Sequence, residues 1–217
     1  CIAPDHLLVQ RDMREPLLAA IGEERLRLYG SEPLESEGLA SLIHARHYGR
    51  LEQLLKTAER EGRVLLGGEC DPVRHRIAPT LIAVHDDQDP LMADELFGPL
   101  LPVLEINNLD EAIRRIQKQD KPLALYLFGG QAGDQEHLLQ STSSGGVCFN
   151  DVVMQAGVPD LPFGGVGASG MGAHHGEAGF RTFSHERSVL RRPFWLDLPQ
   201  RYPPYTLKPE TFRRLFG

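Results

Sequence analysis

A cysteine opens the chain, in Cys1-Ile2-Ala3-Pro4-Asp5, and it offers three chemistries: nucleophile, metal ligand or small buried hydrophobe. Its first position gives no upstream sequence to choose among them. His175 and Asp151 lie far along the chain, yet a cysteine, a histidine and an acid can assemble from distant positions into a hydrolase or acyltransferase site. His44 and His47 are spaced to share one helix face, as two metal ligands would. No carboxylate or third ligand is specified beside them, so no metal is expected there. Gly165-Val166-Gly167-Ala168-Ser169-Gly170 fits G-x-G-x-x-G, a pattern that cradles phosphate when it follows a strand and opens a long helix. Here it follows Val158-Pro159-Asp160-Leu161-Pro162, where proline lacks the donor that a central strand needs. These glycines are therefore expected to permit a tight turn that presents Phe163, not to hold a pyrophosphate. Cys70, in Gly67-Gly68-Glu69-Cys70-Asp71, reads as a turn residue, and Cys148, inside an apolar strand, as core.

Such residues need a scaffold, and the apolar spacing supplies one. Leu17, Leu18, Ile21, Leu26 and Leu28 recur at helical intervals over Arg14 to Leu28, with Gly30 as a stop. A second helix is expected over about Ala40 to Glu61, with Leu42, Ile43, Leu51, Leu54, Leu55 and Ala58 as its buried stripe. Val64 to Leu66, Ile77 to Val84 and Leu101 to Ile106 read as strands. After them a helix (Leu109 to Gln119), a strand (Leu123 to Phe128), a helix (Asp134 to Ser141) and a strand (Gly146 to Asn150) alternate. This order predicts an α/β fold, a mostly parallel sheet with helices on both faces. A short helix near His174 to Phe180 and a strand near Thr182 to Leu190 follow. From Arg192 onward Pro193, Pro199, Pro203, Pro204 and Pro209 argue against regular structure.

Composition excludes several classes. Hydrophobic residues make up 41% and charged residues 24% of the 217, ordinary for a globular chain, and no apolar run approaches the ~20 residues of a membrane helix. A net charge of -7 disfavours nucleic acid and anionic lipid as partners. Three widely spaced cysteines without Cys-x-x-Cys argue against a disulfide framework and favour a reducing, cytoplasmic location.

The opening cysteine, Asp94-Glu95-Leu96-Phe97-Gly98-Pro99 with Leu100 to Val103 after it, and Leu161-Pro162-Phe163-Gly164-Gly165-Val166-Gly167-Ala168-Ser169-Gly170-Met171-Gly172 form an ordered set. Together they resemble the carboxy-terminal half of an aldehyde dehydrogenase, over nearly the whole chain. The class 3 group is the nearest, through Ser143-Ser144-Gly145-Gly146-Val147, Phe149-Asn150-Asp151, His175-Gly176 and Thr182-Phe183-Ser184-His185. The tail Arg201-Tyr202-Pro203-Pro204-Tyr205 is similar to bacterial coniferyl aldehyde dehydrogenases of that group.

The resemblance implies oxidation of a small-molecule aldehyde, coniferaldehyde or another aromatic one, to a carboxylic acid with NAD or NADP. Cys1 matches the nucleophile, which forms a thiohemiacetal and then a thioester. Glu95 matches the carboxylate that takes hydrogen bonds from the cofactor ribose, and Phe97 the ring beside the nicotinamide. Asn150, Phe163 and His175 match positions near the substrate, and the stretch Val152 to Leu161, Val153 included, is expected to shape the pocket. Residues 1–180 correspond to a portion of the catalytic domain, and 181–217 to an oligomerisation strand and proline-rich tail that would make a homodimer or higher oligomer. With no initiator methionine at the start, the amino-terminal NAD(P)-binding domain, the general-base glutamate and the oxyanion asparagine are expected to precede Cys1 in the parent. This chain by itself is then a truncated fragment without dehydrogenase activity.

Overall fold

Alternating side chains in two strands decide the architecture, which a computed structural model describes for residues 1–195, 197, 199, 202–205 and 208–216. Strand β6 (Leu100–Ile106) sends Leu100 and Leu104 into one apolar cluster and Leu101 and Val103 into another. Strand β5 (Thr80–Val84) does the same, with Ile82 and Val84 on the first side and Leu81 on the second. A period of two with apolar residues on both faces is what a strand covered from both sides requires. With β1 (Leu7–Gln10) and β2 (Val64–Leu66) these strands form a sheet ordered β1-β6-β5-β2. β1 and β5 both run parallel to β6, and β2 is antiparallel to β5, so the sheet is mostly parallel.

Helices cover both faces. Helix α2 (Ala45–Arg60) buries Tyr48, Leu51, Leu55 and Ala58, which recur every three or four residues, against Ile82, Leu100 and Leu104. Each fully buried leucine contributes about 1.5–3 kcal/mol of transfer free energy. Helix α1 (Arg14–Tyr29) lays Leu17, Leu18 and Ile21 on the other face, beside Val9, Leu81 and Val103. Its Leu26 and Leu28 are exposed, so the expected stripe ends at Ile21.

Several boundaries differ from the sequence expectation. Helix α2 starts at Ala45 because the His44 ring caps it, Nδ1 accepting the His47 N–H at 3.0 Å, and Ile43 is left outside the helix and exposed. The strand expected over Ile77 to Val84 is interrupted at Ala78-Pro79, since proline has no N–H for the ladder. The part before the break, β4 (Arg76–Ile77), pairs with β3 (Cys70–Asp71), which makes Cys70 a strand residue.

After helix α3 (Leu109–Lys118), capped by Asn108, strands β7 (Ala124–Leu127) and β8 (Gly146–Phe149) pair in parallel across helix α4 (Ala132–Ser141). They form a separate two-stranded sheet and do not extend the first. Both edges of β6 are already occupied by β1 and β5, so β7 has no free partner there. The loop after β8 returns through a bridge between Phe163 and His174 and ends in helix α5 (Gly176–Thr182).

The chain divides into two units, Cys1–Phe183 and Ser184–Gly217. In the second, the strand expected near Thr182 to Leu190 does not form: Thr182 closes α5, and residues 184–193 have no regular structure. A strand needs a backbone ladder to a neighbouring strand, and none is formed here among the described residues. Helix α6 (Pro209–Phe216) overturns the expectation of an irregular tail, because Pro209 stands at its first position, where a missing N–H is harmless. Arg201 of the tail motif lies outside the described residues. No described helix is long and apolar enough to cross a membrane.

Candidate active site

Helix α2 grips the backbone of the segment that follows Asp94. Arg50 Nη2 donates to the carbonyls of Glu95 (2.9 Å) and Leu96 (2.7 Å), and the His47 ring lies 2.9 Å from the Phe97 carbonyl through Nε2. Three consecutive carbonyls are thus held by two residues one helical turn apart. Leu96 between them is 1% exposed and anchors the segment in the core. Its neighbours Glu95 and Phe97 are exposed, Phe97 being 62% open to solvent.

The amino-terminal segment docks on this ledge. Asp5 Oδ1 accepts the Leu96 N–H at 2.9 Å, and the Cys1 nitrogen lies 3.1 Å from Glu95 Oε1. Cys1 and Glu95, remote in sequence, are therefore neighbours, and the Cys1 side chain is exposed. Cys70 behaves differently: burial pushes its thiol up from the ordinary value, against the opposing effect of a Tyr48 hydrogen bond. A raised pKa lowers the thiolate fraction near neutral pH, which makes Cys70 a poor nucleophile.

The remaining candidates line the turns after β8. Asn150 donates its N–H to Leu127 at 2.9 Å, and its Oδ1 accepts from Gly129 at 2.7 Å, so it ends the β7–β8 ladder. Phe163 exchanges two backbone hydrogen bonds with His174, at 3.1 and 2.7 Å, and this puts the Phe163 ring in a stack with His175 at 6.0 Å between centroids. The His175 ring is fixed by the Leu161 carbonyl, 3.1 Å from Nδ1. Backbone crowding explains the glycines. A Cβ on Gly164 would come within 2.2 Å of the Gly172 carbonyl, and one on Gly165 within 2.0 Å of the Ser169 carbonyl. Residues Gly167–Ser169 form a single 3-10 turn and open no long helix, as the sequence indicated.

The backbone marks the same residues independently. Among the described residues, five non-glycine residues have positive φ: His75 (52°), Phe97 (51°), Asn150 (58°), Val153 (68°) and His175 (78°). Four of the five are candidate site residues. Such conformations are uncommon for residues with a Cβ, least favourable for a β-branched one, and concentrate where function requires them.

The hydrolase triad is not assembled. Asp151 accepts from the Val152 N–H at 2.7 Å and His175 faces Leu161, and among the described residues neither is hydrogen-bonded to the other or to Cys1. His44 and His47 are a cap and a carbonyl clamp, and no three His, Cys, Asp or Glu side chains among the described residues converge as metal ligands. His47 and Arg50 were legible only as spaced surface residues of a helix. Their spacing of three on one face was the available signal, because it lets both reach the same strip of backbone.

Comparison with known proteins gives this geometry a context. Residues 1–189 match the aldehyde dehydrogenase family. The chain is 43% identical over 208 residues to aldehyde dehydrogenase family 3 member B1 of Rattus norvegicus, covering 95% of this chain and 44% of that protein. It superposes on a substrate-bound Staphylococcus aureus AldH structure with a TM-score of 0.84 at 36% identity, covering all of this chain and 47% of the other. Against glyceraldehyde-3-phosphate dehydrogenase GapN of Methanocaldococcus jannaschii complexed with NADP the TM-score is 0.73 at 25% identity, over 85% of this chain and 40% of that one. The chain spans somewhat under half the length of these relatives.

Proposed function

The chain belongs to the aldehyde dehydrogenase family, and from that premise we propose that the protein containing it oxidises an aldehyde to the carboxylic acid with NAD or NADP, through a covalent intermediate on Cys1. The observation that carries this reading is the docking of residues 1–5 on the Glu95–Phe97 ledge, through the Asp5–Leu96 hydrogen bond, where His47 and Arg50 hold the backbone. It brings Cys1 and Glu95 to one part of the surface, where an aldehyde and the reacting end of a dinucleotide would have to meet.

The residues present fit that end of the cofactor. Glu95 offers an exposed carboxylate able to accept two ribose hydroxyls, and Phe97 an exposed flat ring for the nicotinamide. NAD or NADP, when bound, supplies the hydride acceptor; the GapN relative is described with NADP. The Cys1 thiolate adds to the aldehyde carbon, and the carbonyl pair moves onto oxygen to give a thiohemiacetal. Loss of hydride from that carbon restores the C=O as a thioester. Water then adds, the thiolate leaves, and aldehyde plus water has become carboxylate, two protons and one hydride. Asn150, Val153, Phe163 and His175 surround the substrate in this scheme. An aromatic aldehyde such as coniferaldehyde is the substrate class, supported by the Phe163–His175 stack, which offers flat faces to a flat ligand.

Purified whole protein should reduce NAD or NADP when benzaldehyde or coniferaldehyde is added. Glu95→Gln should raise the cofactor KM about five- to tenfold, since a neutral amide is the weaker acceptor, with the aldehyde KM almost unchanged. A wild-type protein that oxidises no aldehyde rejects the function, and an unchanged cofactor KM in the variant removes Glu95 from the site.

Three free cysteines support a reducing, cytoplasmic setting. Homodimer or higher assembly through residues 181–217 is supported by Val189, Leu190, Phe194 and Trp195, large apolar side chains left exposed there. Light scattering should show a dimer or larger species at micromolar concentration and a smaller one for Leu190→Asp. A monomeric wild-type protein rejects the proposed assembly, and an unaltered oligomer in the variant removes Leu190 from its interface.

A further inference from the structure

The Tyr126 hydroxyl joins two loops that belong to different parts of the site. Tyr126 lies in β7, and its ring position is set by a strand paired along its whole length with β8. Its O–H donates to the Ile2 carbonyl at 2.5 Å. The same oxygen accepts the Val153 N–H and the Gln155 Nε2–H, each at 3.2 Å. A phenol has one proton to donate and two lone pairs, so these three bonds exhaust its capacity. One partner is the residue next to Cys1. The others belong to the rim after β8, including Val153, whose φ of 68° is the least favourable for its side-chain type. Gln155 adds a second sign of tension: its buried Oε1 has no hydrogen-bond partner among the described residues, although its nitrogen is tied to Tyr126.

We infer that Tyr126 is a positioning residue that sets the gap between the nucleophile and the Val153 wall, and so decides how wide an aldehyde the thiol can reach. The inference rests on the role of Cys1 proposed above. Neither Ile2 nor residues 152–156 lie in a strand, so neither loop has a ladder to hold it. One oxygen on a rigid element ties the two together, beside the Asp5–Leu96 bond that docks the first and the turn bonds within the second. Without that oxygen the ring still packs, but Val153 is free to leave its left-handed conformation and the wall loses its preformed width. Wide aldehydes then lose more than narrow ones.

The test compares wild type with Tyr126→Phe in the whole protein, by kcat/KM for benzaldehyde and for acetaldehyde. In parallel, labelling of Cys1 by N-phenylmaleimide and by iodoacetamide is followed by peptide mass spectrometry. In the variant the benzaldehyde-to-acetaldehyde ratio should fall roughly five- to tenfold, carried by the benzaldehyde KM, with the cofactor KM unmoved. The ratio of maleimide to iodoacetamide labelling should fall with it. An equal loss for both aldehydes with an unchanged labelling ratio overturns the inference and leaves Tyr126 a general scaffold residue; no change in any ratio overturns it too. If wild type oxidises no aldehyde, the proposed function fails while the labelling ratio still decides the role of Tyr126. Should Tyr126→Phe not fold, Gln155→Leu removes one bond of the three and should shift the ratios in the same direction by roughly two- to threefold. Unchanged ratios there reject the inference.

Discussion

Cys1→Ala in the whole protein should lower kcat/KM for aldehyde oxidation by at least about a thousandfold while cofactor affinity stays nearly constant. Alanine removes the atom that forms the covalent bond and changes little else, because Cys1 is exposed and buries no significant surface. Its neighbour Glu95 is held through its backbone by Arg50, not through the cysteine, so the cofactor ledge survives the substitution. Serine at this position should be nearly as inactive, since a hydroxyl ionises far above the range of a thiol. Cys70→Ala is the internal contrast. Its thiol is pushed up by burial and sits in the β3–β4 pair, not in the ledge, so dehydrogenase activity should be retained. Sustained oxidation by Cys1→Ala, or its loss in a folded Cys70→Ala, would sink the assignment of the nucleophile.

Gly165→Ala should be the most damaging single methyl in the pocket loop. The added Cβ would meet three backbone atoms of its own turn, Ser169 O at 2.0 Å, Ser169 C at 2.2 Å and Gly170 N at 2.6 Å. No rotamer change relieves a clash with backbone, so the turn must open, and the Phe163–His174 bridge with the Phe163–His175 stack opens with it. The expected penalty is about 3–5 kcal/mol of unfolding free energy, or an aldehyde KM raised beyond measurement if the loop unfolds locally. Gly133→Ala, inside α4 and with nothing within 4 Å of the new carbon, should instead match or exceed wild-type stability. Thermal denaturation of the two variants beside wild type decides the matter. Equal melting temperatures for Gly165→Ala and wild type, with normal aldehyde kinetics, would show that the turn has room the distances deny.

How much of this could be read in the chain differs by element. Helices α2 and α3 and strands β5 to β8 were legible because each carries its apolar period in its own residues. Strand β1 escaped notice because four residues, Leu7 to Gln10, carry too short a pattern to stand out. Its consequence was large, since β1 fills the edge of β6 that a longer sheet would have needed. The segment Thr182 to Leu190 failed in the opposite sense: it has strand composition, but a strand requires a partner that this unit does not provide. Helix α6 was hidden by counting prolines without weighing where each stands. Among the candidate site residues, Cys1, Glu95 and Phe163 were reached through motif order, whereas Arg50 had only its spacing from His47 and Tyr126 no local signal. Their work is done on carbonyls far away in the sequence, and only the folded chain brings those within reach.

The four left-handed residues of the candidate site, Phe97, Asn150, Val153 and His175, carry a consequence for how such a protein can change over time. Each holds roughly 1–3 kcal/mol of conformational energy that the surrounding fold must supply. A glycine at any of them would release that energy, so screening for thermal tolerance alone would favour replacing the residues that shape the rim. Selection for a sturdier molecule and selection for a defined substrate therefore pull in opposite directions at these four positions, and robust descendants chosen without an activity filter would be the least discriminating ones.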